Sequence, residues 1–207
     1  MIKAIGRGID KKDVGQAALD YASNGYPIFP AYLNREGKKI PLCRWGKGVV
    51  DWNAAKQSAF LAKQNAPEKP WKHSTLYHLR ATTDPAFVRR WWARWPYAMI
   101  GLPTGQISGI VVLDVDIKNG VNGLEELRKR GFDLGQTAVS RTPTGGYHFF
   151  YKAPKGLAVK SSVGEIAPGV DVRGDGGMVI LPPSNPRRGA EGYRFEALDP
   201  SELGAVH

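Results

Sequence analysis

The chain has 207 residues, of which 42% are hydrophobic, so it is long enough to bury one sizeable core. No apolar run approaches the roughly 20 residues that a membrane-spanning helix needs, so we expect no membrane partner and residence in the cytoplasm. The single cysteine, Cys43, excludes an internal disulfide and a cysteine-based zinc site, and the formal net charge of +10 favours a polyanionic partner.

The beginning of the chain predicts a helix followed by a strand. Asp10 can cap a helix that runs from about Lys11 to Asn24, and Gly25 is suited to end it. A short strand is expected around Ile28. The basic loop that follows introduces the first candidate contacts for a polyanion.

Two further helices are predicted before the middle of the chain. Asp51 can cap a helix that continues through Gln64, and an irregular connector follows it. Asp84 as cap and Pro85 at the first helical position predict another helix that ends near Trp95. The first half of the chain therefore predicts a small α/β unit.

The second half is rich in predicted strands. After the strand GIVVLDVDI, Asn122 can cap a helix that Gly131 ends. The segments TAVSRTP and YHFFYK flank a tight turn and predict a hairpin, and VDVRGDGGMVILPPS predicts a second one. APKGLAVKSSVGEIAPG is expected to form a loop or a short excursion, and residues 193–195 could add an edge strand.

Polar groups interrupt three of these strands: Asp114 and Asp116 in the first, His148 in the second, and Asp171 with Arg173 in the third. Successive side chains of a strand point to opposite faces, so Asp114 and Asp116 share a face. The other face is apolar and is lined by Val111, Leu113, Val115 and Ile117. The same alternation separates the polar groups of the other two strands from their apolar neighbours. If the three strands are neighbours, three carboxylates, an imidazole and a guanidinium converge on one surface.

This combination indicates a two-metal site for nucleotidyl transfer. Two divalent ions roughly 4 Å apart can neutralise a triphosphate and align an attacking hydroxyl with its α-phosphate. Asp114, Asp116 and Asp171 offer the oxygen ligands that Mg²⁺ or Mn²⁺ prefers, and His148 and Arg173 would hold the phosphates. Each motif alone also has a purely structural explanation, so the interpretation depends on their conjunction. Because like charges repel without ions, Asp116→Asn should leave stability unchanged or raised.

Two sets of residues near these strands have open roles. Thr144, Gly145 and Gly146 form the turn before His148, where they either serve only the turn or let backbone N–H groups approach a phosphate. Basic residues of predicted loops are candidate contacts to nucleic acid, namely Lys38, Lys39, Lys160, Arg187 and Arg188.

Taken in order, GLPTGQISGIVVLDVDIKNG, TPTGGYHFFYKAPKG and PGVDVRGDGGMVILPPS closely resemble the bifunctional DNA primase/polymerase (Prim-Pol) domain of the archaeo-eukaryotic primase superfamily. This domain is typical of plasmid and phage replication proteins. Upstream, ALDYASNGYPIFPAYLNREGKKIPL and DPAFVRRWWARWPYAMIGLPTG resemble the family's opening helix, strand and Gly-Lys-x-Pro segment and its Asp-Pro helix. The stretch from Trp45 to Leu79 is longer than the family pattern.

The resemblance implies one α+β catalytic domain over residues 1–207, built on an archaeo-eukaryotic primase-like core. In it, an α/β part of about 100 residues packs on a β-rich part with an RNA-recognition-type sheet platform, over about residues 101–200. It implies metal-binding carboxylates at Asp114, Asp116 and Asp171 and a nucleotide contact at His148. The implied activity is template-directed synthesis from (d)NTPs on single-stranded DNA with Mg²⁺ or Mn²⁺, and a helicase domain or protein could be a partner.

Two other classes of function remain open. A metal-dependent nuclease would need the same carboxylates but an activated water, whereas His148 and Arg173 favour a triphosphate pocket. A catalytically silent nucleic-acid-binding module would keep the basic surface without needing intact carboxylates. A replication nickase that binds metal through paired histidines is disfavoured, because the sequence contains no His-x-His.

Overall fold

The computed structural model describes residues 13–42, 81–186 and 191–196. Within these ranges the protein is α+β, with three helices and strands that pair in an antiparallel manner. The elements in chain order are α1 (Val14–Ser23), β1 (Phe29–Leu33), β2 (Lys39–Pro41), α2 (Pro85–Arg94), β3 (Met99–Pro103), β4 (Ile110–Val115), β5 (Ile117–Lys118), β6 (Val121–Asn122), α3 (Gly123–Lys129), β7 (Ala138–Arg141), β8 (Tyr147–Lys152), β9 (Ser162–Ala167), β10 (Val170–Arg173), β11 (Met178–Leu181) and β12 (Arg194–Glu196).

The helices begin where side-chain caps satisfy the first backbone N–H groups. Asp84 caps α2 and Asn122 caps α3, as predicted. The prediction of Asp10 as the cap of the first helix is wrong, because the carboxylate of Asp13 accepts the N–H groups of Gly15 and Gln16 at 2.8 and 3.3 Å. The predicted helix over residues 51–64 lies outside the described residues.

The strands form two main sheets. One has the order β11-β3-β1-β2, and the other has the order β12-β7-β8-β4-β10-β9. The predicted β7–β8 hairpin is confirmed, as is the edge strand near the end, which pairs with β7. Residues 153–169, which were expected to form a loop or a short excursion, contain the strand β9, and this strand pairs with β10.

The second predicted hairpin is wrong, because β10 and β11 belong to different sheets. The chain crosses between the sheets at residues 174–177, and Asp175 fixes this crossing. The Asp175 carboxylate accepts the N–H of Gln106 at 2.8 Å and that of Val159 at 2.9 Å, so it joins two other segments. Glycine and aspartate favour a turn here, but these long-range hydrogen bonds decide where the turn leads.

The six-stranded sheet contributes to two hydrophobic clusters. Val112 and Phe150 pack into the cluster that includes α1, α2 and the four-stranded sheet. Val115 and Phe149 pack into a second cluster with Leu127 of α3. The predicted alternation of faces along β4 is therefore confirmed. The polar residues of β4 and β8 share the parity of Val112 and Phe150.

Among the described residues, no helix is both long and apolar enough to cross a membrane.

Candidate active site

The strand register brings four polar residues into one row across the six-stranded sheet. On β4, Asp114 lies directly opposite His148 of β8 on one side and Asp171 of β10 on the other. Ser140 of β7 lies opposite His148 and extends the row. The expectation that these strands are neighbours is thus confirmed, although they lie far apart in sequence.

Arg173 connects the two carboxylates of this row. Its Nη2 donates to Asp114 Oδ2 and to Asp171 Oδ2, each at 2.9 Å, and its Nε donates to Asp114 Oδ2 at 3.2 Å. The Asp114 and Asp171 side chains are only 13% and 14% exposed. Two largely buried carboxylates on adjacent strands would repel each other, and the guanidinium compensates this repulsion.

The surroundings of Asp114 favour its ionised form. Burial by itself would raise the pKa of this carboxyl, but His148, Arg173 and Lys39 together outweigh burial and hold the pKa well below its usual range. The Nε2 of His148 lies 3.5 Å from Asp114 Oδ1, which is longer than an ordinary hydrogen bond. These neighbours therefore keep Asp114 ionised at neutral pH, at the centre of the row.

Asp171 has a different balance of influences. Burial has the largest effect and raises the pKa of Asp171, and the charges of Asp114 and Asp116 raise it further. Arg173 and the Gly164 N–H lower the pKa, but they do not outweigh these effects. The Gly164 N–H donates to Asp171 Oδ1 at 3.1 Å. The two carboxylates that share Arg173 therefore titrate in opposite directions from their ordinary values.

Asp116 lies just beyond the end of β4, whereas the sequence placed it within the strand. Its carboxylate pairs with Lys118 Nζ at 2.9 Å, and its side chain is 31% exposed. Its charge still reaches Asp171, whose pKa it helps to raise. In this arrangement Asp116 lies near the other two carboxylates without sharing Arg173.

His148 is fully buried, and neither of its ring nitrogens has a hydrogen-bond partner. Its ring packs against Phe150, with centroids 6.1 Å apart, and against Tyr193, with centroids 5.7 Å apart. Leaving buried polar atoms without partners costs free energy, and such atoms are uncommon outside functional sites. Aromatic packing thus holds the imidazole in place, with Nε2 facing Asp114 at 3.5 Å and Nδ1 without a hydrogen-bond partner.

Sequence reasoning did not associate Tyr193 with the site, and it assigned Lys39 only to the nucleic acid. Lys39 of β2 lies with its Nζ 5.8 Å from the Tyr193 ring centre, and its charge lowers the pKa of Asp114. Burial raises the pKa of Tyr193, against the lowering effect of Lys39. Both residues come from segments far from the acidic motifs, so no local spacing could have revealed them.

The turn at Gly145 and Gly146 lies beside the end of β4. Gly145 has a φ of +90°, and its N–H donates to Thr142 O at 3.0 Å. A Cβ on Gly146 would lie 2.4 Å from Val115 O, so only glycine allows this approach. Thr144 contacts the Thr142 hydroxyl at 3.1 Å. Both glycines therefore have a structural role here, and contact with a nucleotide stays a prediction.

The other candidate contacts to nucleic acid have different surroundings. Lys38 pairs with Glu36 at 3.0 Å on the surface. Lys160 is exposed and forms a β-bridge to Asp175. Arg187 and Arg188 lie outside the described residues. Among the described members of this set, Lys39 is the one whose charge acts on the acidic row.

The carboxylates of the row are suited to a shared cation. Among the described residues, no three His, Cys, Asp or Glu side chains converge in a ready metal site. However, Asp114 and Asp171 already contact one positively charged nitrogen, Arg173 Nη2, and both present hard oxygen donors. A divalent cation fits this pair of ligands if Arg173 withdraws, and Asp116 could join them if it leaves Lys118.

This geometry predicts different stability effects for two neighbouring carboxylates. Asp114→Asn should lower the free energy of unfolding by about 1 to 3 kcal/mol at pH 7, because it removes the charged acceptor of Arg173. Asp116→Asn should change it by less than about 0.5 kcal/mol, because the pair with Lys118 is partly exposed. Urea unfolding of both variants and the wild type measures these differences.

The pH dependence gives a control for the same comparison. A carboxyl with a lowered pKa contributes stability above its unfolded pKa, and this contribution is lost as pH falls towards its folded pKa. The difference in the free energy of unfolding between wild type and Asp114→Asn should therefore become smaller below about pH 4. Equal free energies of unfolding at pH 7, or a difference that stays the same in acid, would contradict the role of Asp114.

The chain was also compared with known proteins. A family model described as bifunctional DNA primase/polymerase, N-terminal (Prim-Pol), matches residues 18–205, which is nearly the whole chain. A search of curated proteins found no match. The matched range includes both sheets and every described residue of the acidic row. The chain therefore belongs to the bifunctional DNA primase/polymerase (Prim-Pol) N-terminal family.

Proposed function

We propose that the protein synthesises and extends primers on single-stranded DNA, by two-metal nucleotidyl transfer from (d)NTPs, in plasmid, phage or prophage replication. Membership of the Prim-Pol family implies a DNA primase/polymerase-type function, and nucleotidyltransferase chemistry in general. The observation that carries the finer proposal is the row of Asp114, Asp171 and His148 in register, with Arg173 across it. We further propose that the six-stranded sheet is the family's RNA-recognition-type platform.

In this proposal Asp114 and Asp171 are the principal ligands of Mg²⁺ or Mn²⁺, and Asp116 completes the acidic set. When bound, the ions neutralise the triphosphate and activate the attacking hydroxyl. Family chemistry is metal-dependent nucleotidyl transfer in general, and the shared contact of the two carboxylates with one cationic nitrogen supports this assignment. The role of the carboxylates is to fix the positions of charge before substrate arrives.

His148 and Lys39 are assigned to the phosphates. The two unpartnered ring nitrogens of His148 support a contact with a phosphate oxygen, which would satisfy one of them. Because the ring is fully buried, a phosphate reaches it only after a neighbouring side chain moves. Lys39 acts on Asp114 from the other sheet, which supports a role at the triphosphate instead of at a distant part of the template.

Synthesis on a single-stranded template tests the proposal. The wild type should incorporate labelled dNTPs or NTPs with Mg²⁺ or Mn²⁺, and Asp171→Asn should lose at least about a hundredfold in rate because a metal ligand is removed. Asp133→Asn is the matched control, because Asp133 is an exposed carboxylate that accepts the Gly135 N–H. It should synthesise like the wild type.

The same assay separates the alternatives. Shortening of the template without incorporation would indicate a nuclease, and binding without either reaction would indicate a silent module. Product only on primed templates would reduce the function to polymerase. His148→Ala should raise the KM for nucleotide roughly tenfold to hundredfold, the effect of one lost charge-assisted hydrogen bond. An unchanged KM would remove His148 from the phosphate site.

A further inference from the structure

The position of Arg173 conflicts with simultaneous binding of a cation by the same carboxylates. All three hydrogen bonds of the guanidinium described above go to Asp114 Oδ2 and Asp171 Oδ2. A hard divalent cation needs carboxylate oxygens of this kind, at shorter distances than a hydrogen bond. A guanidinium and a divalent cation also repel each other. Binding of either cation at these two Oδ2 atoms therefore disfavours binding of the other there.

We propose that Arg173 is the counter-charge of the ion-free site and exchanges with the metal. The released guanidinium then binds the phosphates of the nucleotide, for which its planar donors are suited. The identity of this second ligand rests on the proposed function. Metal and nucleotide are thereby coupled, because each favours the arrangement in which Arg173 has left the carboxylates.

The burial of the three side chains indicates which group moves. Arg173 is 32% exposed, more than twice the exposure of either carboxylate. Asp114 and Asp171 are fixed by the pairing of their strands, whereas the arginine reaches them through a long, flexible stem. Exchange therefore requires a change of one side chain and leaves the sheet intact.

Manganese affinity tests this exchange without DNA and without synthesis. Arg173→Gln should bind Mn²⁺ about tenfold more tightly than the wild type, because a competing cation has been removed. Titration calorimetry or electron paramagnetic resonance measures the affinity. Arg194→Gln is the matched control, since Arg194 also bridges two carboxylates, Glu191 and Glu196, at 3.3 and 3.4 Å. Its Mn²⁺ affinity should equal that of the wild type.

A second variant keeps the test decisive if Arg173→Gln does not fold. Arg173→Lys retains the charge but lacks the planar fork, so its Mn²⁺ affinity should lie between those of wild type and Arg173→Gln. Unchanged or weaker Mn²⁺ binding in folded Arg173 variants would overturn the exchange. Tighter Mn²⁺ binding in the Arg173 variants, together with a wild type that synthesises nothing, would leave the exchange standing and refute the proposed function instead.

A separate observation concerns helix α2, which presents an arginine face made of Arg89, Arg90 and Arg94. All three are exposed, while Val88 and the two adjacent tryptophans on the opposite side are buried. No carboxylate within the described ranges pairs with any of the three. In helix α3, by contrast, Lys129 and Arg130 both pair with Glu126.

An aromatic ring adjoins the arginine face. The Arg94 guanidinium lies 5.4 Å from the ring centre of Trp95, which is partly exposed. Cationic groups beside an aromatic ring suit a single strand, whose phosphates need neutralising and whose bases can stack. A purely electrostatic surface would lack the second property.

We infer that the arginine face of α2 binds the backbone of single-stranded DNA, outside the acidic site. The choice of DNA rests on the proposed function, and the surface itself rests on the charges and the ring named above. Arg89, Arg90 and Arg94 would each contact one phosphate.

Salt-dependent binding of single-stranded DNA tests this surface, measured by fluorescence anisotropy without metal or nucleotide. The combined Arg89→Gln, Arg90→Gln and Arg94→Gln variant should bind more weakly. The slope of log affinity against log salt concentration should be smaller in magnitude by about 2, because each of the three lost phosphate contacts contributes about 0.7. Arg128→Gln, Lys129→Gln and Arg130→Gln in α3 remove the same charge and form the control, which should keep the wild-type slope.

Equal losses in the two triple variants would attribute binding to net charge alone and overturn the inference, as would an unchanged slope in the α2 variant. The readout is independent of synthesis. If the α2 variant has a smaller slope and the wild type shows no polymerase activity, the result supports the binding surface and counts only against the proposed function.

Discussion

The ion pairs between Arg173 and the two carboxylates of adjacent strands are the interaction on which the site depends. Strand pairing places Asp114 directly opposite Asp171 in a largely buried position, where two negative charges alone would destabilise the sheet. One guanidinium resolves this conflict, and it lies on the same strand as one of its partners. The two carboxylates are thus balanced by a side chain of the same chain.

The topology explains how distant segments meet at this place. The chain leaves the six-stranded sheet at the end of β10 and enters the four-stranded sheet as β11, so the strand that carries Asp171 and Arg173 links the two sheets. Lys39 approaches from the four-stranded sheet, and Tyr193 approaches from the segment before β12. The charged row therefore lies where both sheets can influence it. This suits the proposed function, in which the site would hold a triphosphate as well as metal ions.

Local patterns in the sequence predicted the helix caps Asp84 and Asn122, the alternation along β4 and the polar residues of the row, because these depend on neighbours in the chain. The hairpin after Arg173 was predicted wrongly, because hydrogen bonds from Asp175 to distant backbone groups override the turn preference. Asp13 replaced Asp10 as a cap because a helix boundary depends on which carboxylate reaches the free N–H groups. Tyr193 and the bridging geometry of Arg173 depend on tertiary contacts, which no local pattern contains.

The central claim is that the acidic row binds a divalent cation and a nucleotide by displacing Arg173. A crystal structure with Mn²⁺ and a non-hydrolysable nucleotide, with manganese located by anomalous scattering, tests this most directly. The account predicts manganese at the Asp114 and Asp171 oxygens and the Arg173 guanidinium on a phosphate. Manganese elsewhere in the protein, with Arg173 still bridging the two carboxylates, would contradict it.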